Sequence, residues 1–264
     1  MTVTPMEHRR GFRAAHPPVN QVNTADLLGV LRKGYEDFLA MPSHVAFISL
    51  IYPVLGLLFA SMAFGYDVLP LFFPLVSGFA LVGPLAAVGL YELSRRRELG
   101  LETRWSDAIE VLRSPAIGSI VAMGAVLVVI FILWLLSAQA IWGFTMGGTR
   151  MESYGQLLRE VLTTGRGWAL IIVGNLVGFA FAALVLTISV IAFPMILDRN
   201  VGVGEAMATS RRAVLENPVN MSIWGVMVAA VVLVASVPLF VGLALALPIL
   251  GHSTWHLYRK VVGR

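Results

Sequence analysis

The chain has 264 residues, of which 58% are hydrophobic and only 13% charged, and its mean hydropathy is +0.81. Soluble domains carry about 25% charged residues, and here the apolar excess falls in long runs, which points to lipid as the solvent. The net charge of +4 comes from basic residues set between those runs, so nucleic acid is excluded as a partner. The absence of cysteine excludes disulfides, iron–sulfur clusters, covalently attached c-type haem and a thiol nucleophile.

In chain order, residues 1–22 carry basic residues with no apolar run behind them. They read as a mobile cytoplasmic tail, not a cleaved signal peptide. Residues 23–264 form a single membrane domain. It opens with an apolar stripe of Leu27, Leu31, Tyr35, Phe38 and Leu39 at helical spacing. The first two membrane spans follow at 44–64 and 68–93, joined by a turn at Tyr66 and Asp67. A second stripe (Trp105, Ala108, Ile109, Leu112) precedes a third span at 116–142. A third stripe (Tyr154, Leu157, Leu158, Val161, Leu162), with Ser153 and Gln156 at capping-box spacing, precedes a fourth span at 168–197. The fifth and sixth spans are 219–236 and 238–257, turning at Val237 and Pro238. Each is close to or longer than the roughly 20 residues that cross about 30 Å of hydrocarbon. The three stripes predict amphipathic helices that either lie in the membrane interface or pack on the bundle.

The fold class is all-α: six transmembrane helices in a bundle of three hairpins. Between Ala116 and Trp142 stand fourteen Leu, Ile, Val or Phe, which favours insertion by at most roughly 4 to 8 kcal/mol. A β-barrel strand would alternate polar and apolar residues, and the run from Ala125 to Leu136 has no such alternation. With these spans, sixteen of the nineteen Lys and Arg fall on one side, leaving Arg150, Arg159 and Arg166 on the other. The positive-inside rule then places both termini in the cytoplasm of a multi-pass inner-membrane protein. Trp142 and Trp168 bracket the long outer loop, and Tyr91, Trp224, Trp255 and Tyr258 fall near inner span ends, at the headgroup level that amphipathic rings prefer.

Small residues four apart (Gly174 with Gly178, Gly225 with Ala229, Gly242 with Ala246) allow close helix approach within the bundle or in a homo-oligomer. Arg95, Arg96, Arg97, Arg211 and Arg212 set topology and can face anionic lipid headgroups. No nucleophile elbow, phosphate loop or metalloprotease pair occurs, so no catalytic residue is assigned and the chain reads as a non-enzyme. No cofactor is predicted. The one constellation that could hold haem or a metal is His44, His252 and His256. The latter two share a face of the sixth helix, and His44 opens the first span at the same level. Interfacial histidines hydrogen-bonding to water, lipid phosphate or backbone are the more ordinary account of them, and the metal or haem reading ranks last.

The segment Gly251-His252-Ser253-Thr254-Trp255-His256-Leu257-Tyr258-Arg259, the Gly83-Pro84-Leu85 turn and the stretch from Glu205-Ala206 to Asn217-Pro218 resemble a bacterial membrane family of unknown function. Some of its members are labelled putative cytochrome c oxidase subunits. The resemblance covers about residues 20–264 and implies no established activity. A catalytic oxidase subunit needs about six helix-borne histidines. This chain has five in all, two of them in the tail. The expected role is an accessory, scaffold or assembly protein binding lipids, another membrane protein or a respiratory complex. The alternative is a permease for a small or lipidic substrate.

Overall fold

A computed structural model describes residues 17–41, 83–85, 87–147, 154–238 and 241–263, with Gly56 and Pro74. The first predicted span apart from Gly56, the turn at Tyr66 and Asp67, most of the second span, and His44 and Ser153 lie outside the described residues. The described elements are helical: α1 (Thr24–Ala40), α2 (Val88–Glu98), α3 (Trp105–Glu110) with a 3₁₀ turn (Val111–Arg113), α4 (Ile117–Met146), α5 (Tyr154–Thr163), α6 (Gly165–Ser189), α7 (Ala192–Arg199), α8 (Val203–Glu216), α9 (Pro218–Ser236) and α10 (Leu243–Val262).

Three helical segments among the described residues are long and apolar enough to cross a membrane: Ile117–Met146, Gly165–Arg199 and Pro218–Ser236. α4 packs along α6, where Gly178 admits the Trp134 ring and Trp134 meets Phe181 at 5.7 Å. Large apolar side chains remain on the outside of these helices, including Phe144, Phe179 and Leu233. Such faces are ordinary against lipid and costly against water. α10, the predicted sixth span, is not among the three. Its first half is apolar, but its second half carries His252, His256, Arg259 and Lys260.

Burial is concentrated at one end of the bundle. There the second half of α10, residues 192–197 of α7 and the inner faces of α1, α2, α4 and α8 contribute to the core. The rings of Tyr91, Trp224, Trp255 and Tyr258 are fully buried in it. This corrects the expectation that they lie in a headgroup belt: helix–helix packing claims them first.

The predicted stripe of α1 is also corrected. Leu27 and Phe38 are buried, but Tyr35 and Leu39 are exposed, and the inward face is Leu27, Val30, Gly34, Asp37 and Phe38. The reason is close approach. A Cβ on Gly34 would stand 2.0 Å from Ser253 Oγ and 2.7 Å from the Ile249 carbonyl, so α1 meets α10 over a glycine, not over leucines. α1 runs antiparallel to α10. The Asn20 N–H donates to the Val261 carbonyl at 2.7 Å, Asp26 pairs with Lys260, and Gly34 faces Ser253. Of the two readings of this helix, packing on the bundle is the one observed.

The other two stripes are also only partly turned inward. Ala108 packs against Gly89, whereas Ile109 and Leu112 are exposed. α5 packs against α6, with Leu158 and Leu162 exposed. Thr164 caps α6 by accepting from the Gly167 N–H, and a Cβ on Gly167 would lie 2.2 Å from the Val161 carbonyl.

The predicted fourth span breaks after Ser189. Pro194 has no N–H to give the preceding turn, and a proline interrupts a helix about one turn before itself. Ser210 of α8 serves the groups at the break: its hydroxyl accepts from the Ile191 N–H and donates to the Thr187 carbonyl at 2.9 Å. The tail boundary moves as well. Asn217, next to Pro218 at the start of α9, accepts from the Val22 N–H at 2.8 Å and donates to the Asn20 carbonyl at 3.2 Å. Asn220 donates to the Val22 carbonyl at 2.8 Å. Residues 20–22 are therefore fixed to the α8–α9 corner, not part of a mobile tail.

Candidate functional site

At the densely packed end, α1, α2 and α10 bring four polar side chains (Ser94, Arg97, His252 and His256) around the Asp37 carboxylate. Asp37 Oδ2 accepts from Ser94 Oγ at 2.6 Å and from His256 Nε2 at 2.8 Å. Oδ1 accepts from the Arg97 guanidinium. Ser94 Oγ also lies 2.6 Å from His252 Nδ1. Asp37, Ser94 and His252 are all buried.

Proton counting fixes the roles. An ionised carboxylate only accepts, so the single Ser94 hydroxyl proton points to Asp37, and Ser94 Oγ must accept from His252 Nδ1–H. The proton on His256 sits on Nε2 by the same logic. His252 Nε2 is left buried with no hydrogen-bond partner among the described residues. Burial pushes the Asp37 carboxyl up, but hydrogen bonds from His256 and Ser94 and the charges beside it outweigh that, and the group is held below the usual carboxylate range.

This arrangement is not that of a hydrolytic triad. There the imidazole stands between hydroxyl and carboxylate and draws the hydroxyl proton away. Here the hydroxyl stands between the other two, donates to the carboxylate and is buried.

A second ionic group adjoins the first. Arg259 of α10 binds Glu98 of α2 through Nε at 3.1 Å and Nη2 at 3.0 Å, and Asp198 of α7 through Nη1 at 3.0 Å. Trp255 Nε1 donates to Glu98, and the Tyr258 hydroxyl donates to Asp198 at 2.6 Å. Burial, then the hydrogen bond to Asp198 and its charge, push the Tyr258 hydroxyl up. Burial alone would lower Arg259, but Glu98 and Asp198 reverse this and raise it.

Two charged clefts open beside these groups. One, of about 600 Å³, is lined by Lys33, Asp37, Arg97, His256 and Arg259 among others. The second, of about 520 Å³, includes Arg95, Arg96, Glu110, Arg113 and Asp198.

The residues singled out in the sequence are placed as follows. His252 and His256 do share a face, and both turn toward Asp37, His256 directly and His252 through Ser94. Among the described residues no three His, Asp or Glu side chains form a metal-holding group. Arg95 binds Glu92 twice, at 2.7 and 2.9 Å, and Arg96 pairs with Asp107 and Glu110. Arg97 pairs with Asp37 and Arg212 with Glu216, while Arg211 is exposed. The three consecutive arginines thus hold carboxylates of the same chain. Gly225 meets Leu186 and Gly242 meets Ala235 closely, whereas Gly174 faces open space and Ala229 is exposed. Ala246 is buried.

Sequence reasoning missed Asp37, Ser94 and Glu98. The available signal was the face defined by Leu27, Val30 and Gly34, whose continuation by helical spacing reaches Asp37.

Residues 72–198 match the family model described as a predicted integral membrane protein (DUF2189). It is a membrane family of unknown function, the kind that the C-terminal motif resembles. No curated protein and no solved structure matches the chain.

Proposed function

We propose that this integral membrane protein crosses the bacterial inner membrane six times, with both termini in the cytoplasm, and acts there as a non-catalytic accessory or assembly protein that binds other membrane proteins or lipids. One observation carries the topology. Asp37 precedes the first predicted span, Arg97 and Glu98 lie between the second and third, Asp198 closes the fourth, and Arg259 follows the sixth. These residues are joined by ion pairs at one end of the bundle. Contacts of that kind need an even number of crossings between successive partners, as three hairpins provide. The sixteen-to-three distribution of Lys and Arg then favours the cytoplasm for that end.

The binding role is supported by the character of the same end. Its central ionic groups, Asp37, Glu98, Asp198, Arg97 and Arg259, are paired within the chain, the Ser94 hydroxyl beside histidine and carboxylate is not an activated nucleophile, and its clefts are open and lined by both charge signs. Surfaces of mixed charge suit docking of a complementary polar surface. Mild-detergent extraction from native membranes with crosslinking tests this: the expected result is a stable stoichiometric membrane-protein partner or retained anionic lipid. A lipid-free monomer with no crosslinked product contradicts it.

A further inference from the structure

Resting on the binding role proposed above, we infer that the second cleft holds the phosphate of an anionic phospholipid, with Arg113 as its principal cation. The cleft, of about 520 Å³, lies where α2, the 3₁₀ turn and the end of α7 meet. Each carboxylate in its lining already holds a cation. Glu92 takes Arg95 at 2.7 Å, Glu110 takes Arg96 at 3.4 Å, and Asp198 takes Arg259, from outside the cleft, at 3.0 Å. Arg113 is the cation in excess, and it is exposed. Depth adds to this. The Arg95 side chain is 31% exposed against 8% for Glu92, and Arg96 is 25% exposed against 7% for its partner Asp107. These guanidiniums face the opening while their carboxylates sit behind them; Glu110 is exposed, but it is taken up by Arg96. A phosphate needs donors as well as charge. An arginine presents five N–H groups in a planar fork that matches phosphate oxygens. Ser114 Oγ, which accepts from the Ala116 N–H at 3.2 Å, carries a further hydroxyl proton to give.

The surroundings select a lipid over a free phosphate. α4 begins at Ile117 and is long and apolar enough to cross a membrane. Arg113 and Ser114 therefore stand about one turn before a span, at the level of lipid headgroups. Beside them Ile109 and Leu112 are exposed, as are Leu99 and Leu101 in the connection from α2 to α3. Such side chains next to a cationic cleft are costly in water and favourable against acyl chains. Charge and apolar surface together match one molecule: its phosphate at Arg113, with Arg95 and Arg96 as the neighbouring positive charges, and its chains alongside Leu112 and the outward face of α4.

The test is lipid binding by the full chain in mild detergent, read by native mass spectrometry. The probes are phosphatidylglycerol, phosphatidylcholine and inorganic phosphate. The wild type should bind phosphatidylglycerol about fivefold or more tightly than phosphatidylcholine, the scale of one basic residue at a membrane surface. Arg113→Ala should abolish that preference. Arg104→Ala is the control: it removes the same charge from the same connection, but Arg104 does not line the cleft, and the preference should stay intact. Inorganic phosphate should not displace the lipid. Arg113→Ala binding phosphatidylglycerol as tightly as wild type overturns the inference. So does an equal loss in Arg104→Ala, which means diffuse attraction and no site. Displacement by inorganic phosphate overturns the assignment to a lipid. Any of these results with a membrane-protein partner still retained on extraction strikes this site alone; the wider binding role falls when neither lipid nor partner is retained.

Discussion

Asp37 and His256 are 219 residues apart in the chain and 2.8 Å apart in the fold. That single contact ties the helix before the first predicted span to the helix that ends the chain. Replacing Asp37 by Asn keeps the size but removes the charge that Arg97 and His256 both use. The expected loss is about 3 kcal/mol, the low end for breaking a buried ion pair because Arg97 keeps contact with water. Thermal unfolding in mild detergent reads it. Arg97→Ala should cost less, about 1 kcal/mol or below.

Acid should loosen the same junction. The Asp37 carboxyl is held below its unfolded value of about 3.9. A depressed carboxylate contributes stability that is full above the unfolded value and is lost as pH falls from there through the folded one. Unfolding midpoints of the wild type should therefore fall as pH drops below about 4, and Asp37→Asn should flatten that part of the profile. Parallel profiles for the two proteins would contradict the assignment.

Gly34 and Gly174 give opposite expectations for the same substitution. An added methyl at Gly34 meets Ser253 Oγ at 2.0 Å and backbone atoms at 2.6 and 2.7 Å. Gly34→Ala should cost at least about 1 to 3 kcal/mol by overpacking and separate α1 from α10. At Gly174 the methyl meets nothing within 4 Å, so Gly174→Ala should be neutral or slightly stabilising, by up to about 1 kcal/mol, through helix propensity. The same thermal assay distinguishes them.

Ser210→Ala removes the hydroxyl that serves the helix break before Pro194. It leaves the buried Ile191 N–H without its acceptor and the Thr187 carbonyl without its donor. The expected cost is about 1 to 3 kcal/mol, with faster amide exchange at Ile191.

Much of the membrane architecture was legible in the sequence because lipid acts on long averages. The apolar runs over 116–142, 168–197 and 219–236 coincide with the three helical segments able to span. What the sequence hid depends on single contacts. Tyr35 and Leu39 look like core by periodicity, but Gly34 sets the packed face and carries Asp37 inward with it. Glu92, Glu98 and Asp198 sit among arginines at span ends, where charge counting reads them as solvated. Their partners Arg95 and Arg259 are fixed only by the packing of α2, α7 and α10. The shared face of His252 and His256 was visible from their spacing of four. Their common neighbour, 215 residues before His252, was not. Asn20 and Val22 looked like tail because nothing local holds them, and their partners are Asn217 and Asn220.

The absence of cysteine makes the topology directly measurable. Single cysteines at Thr103, Gly202 and Gly263, and separately at Thr163, can be treated in intact cells with a membrane-impermeant thiol reagent. Six crossings with cytoplasmic termini predict that only Thr163→Cys reacts until the inner membrane is permeabilised. Labelling of Gly263→Cys from outside the intact cell would contradict the account.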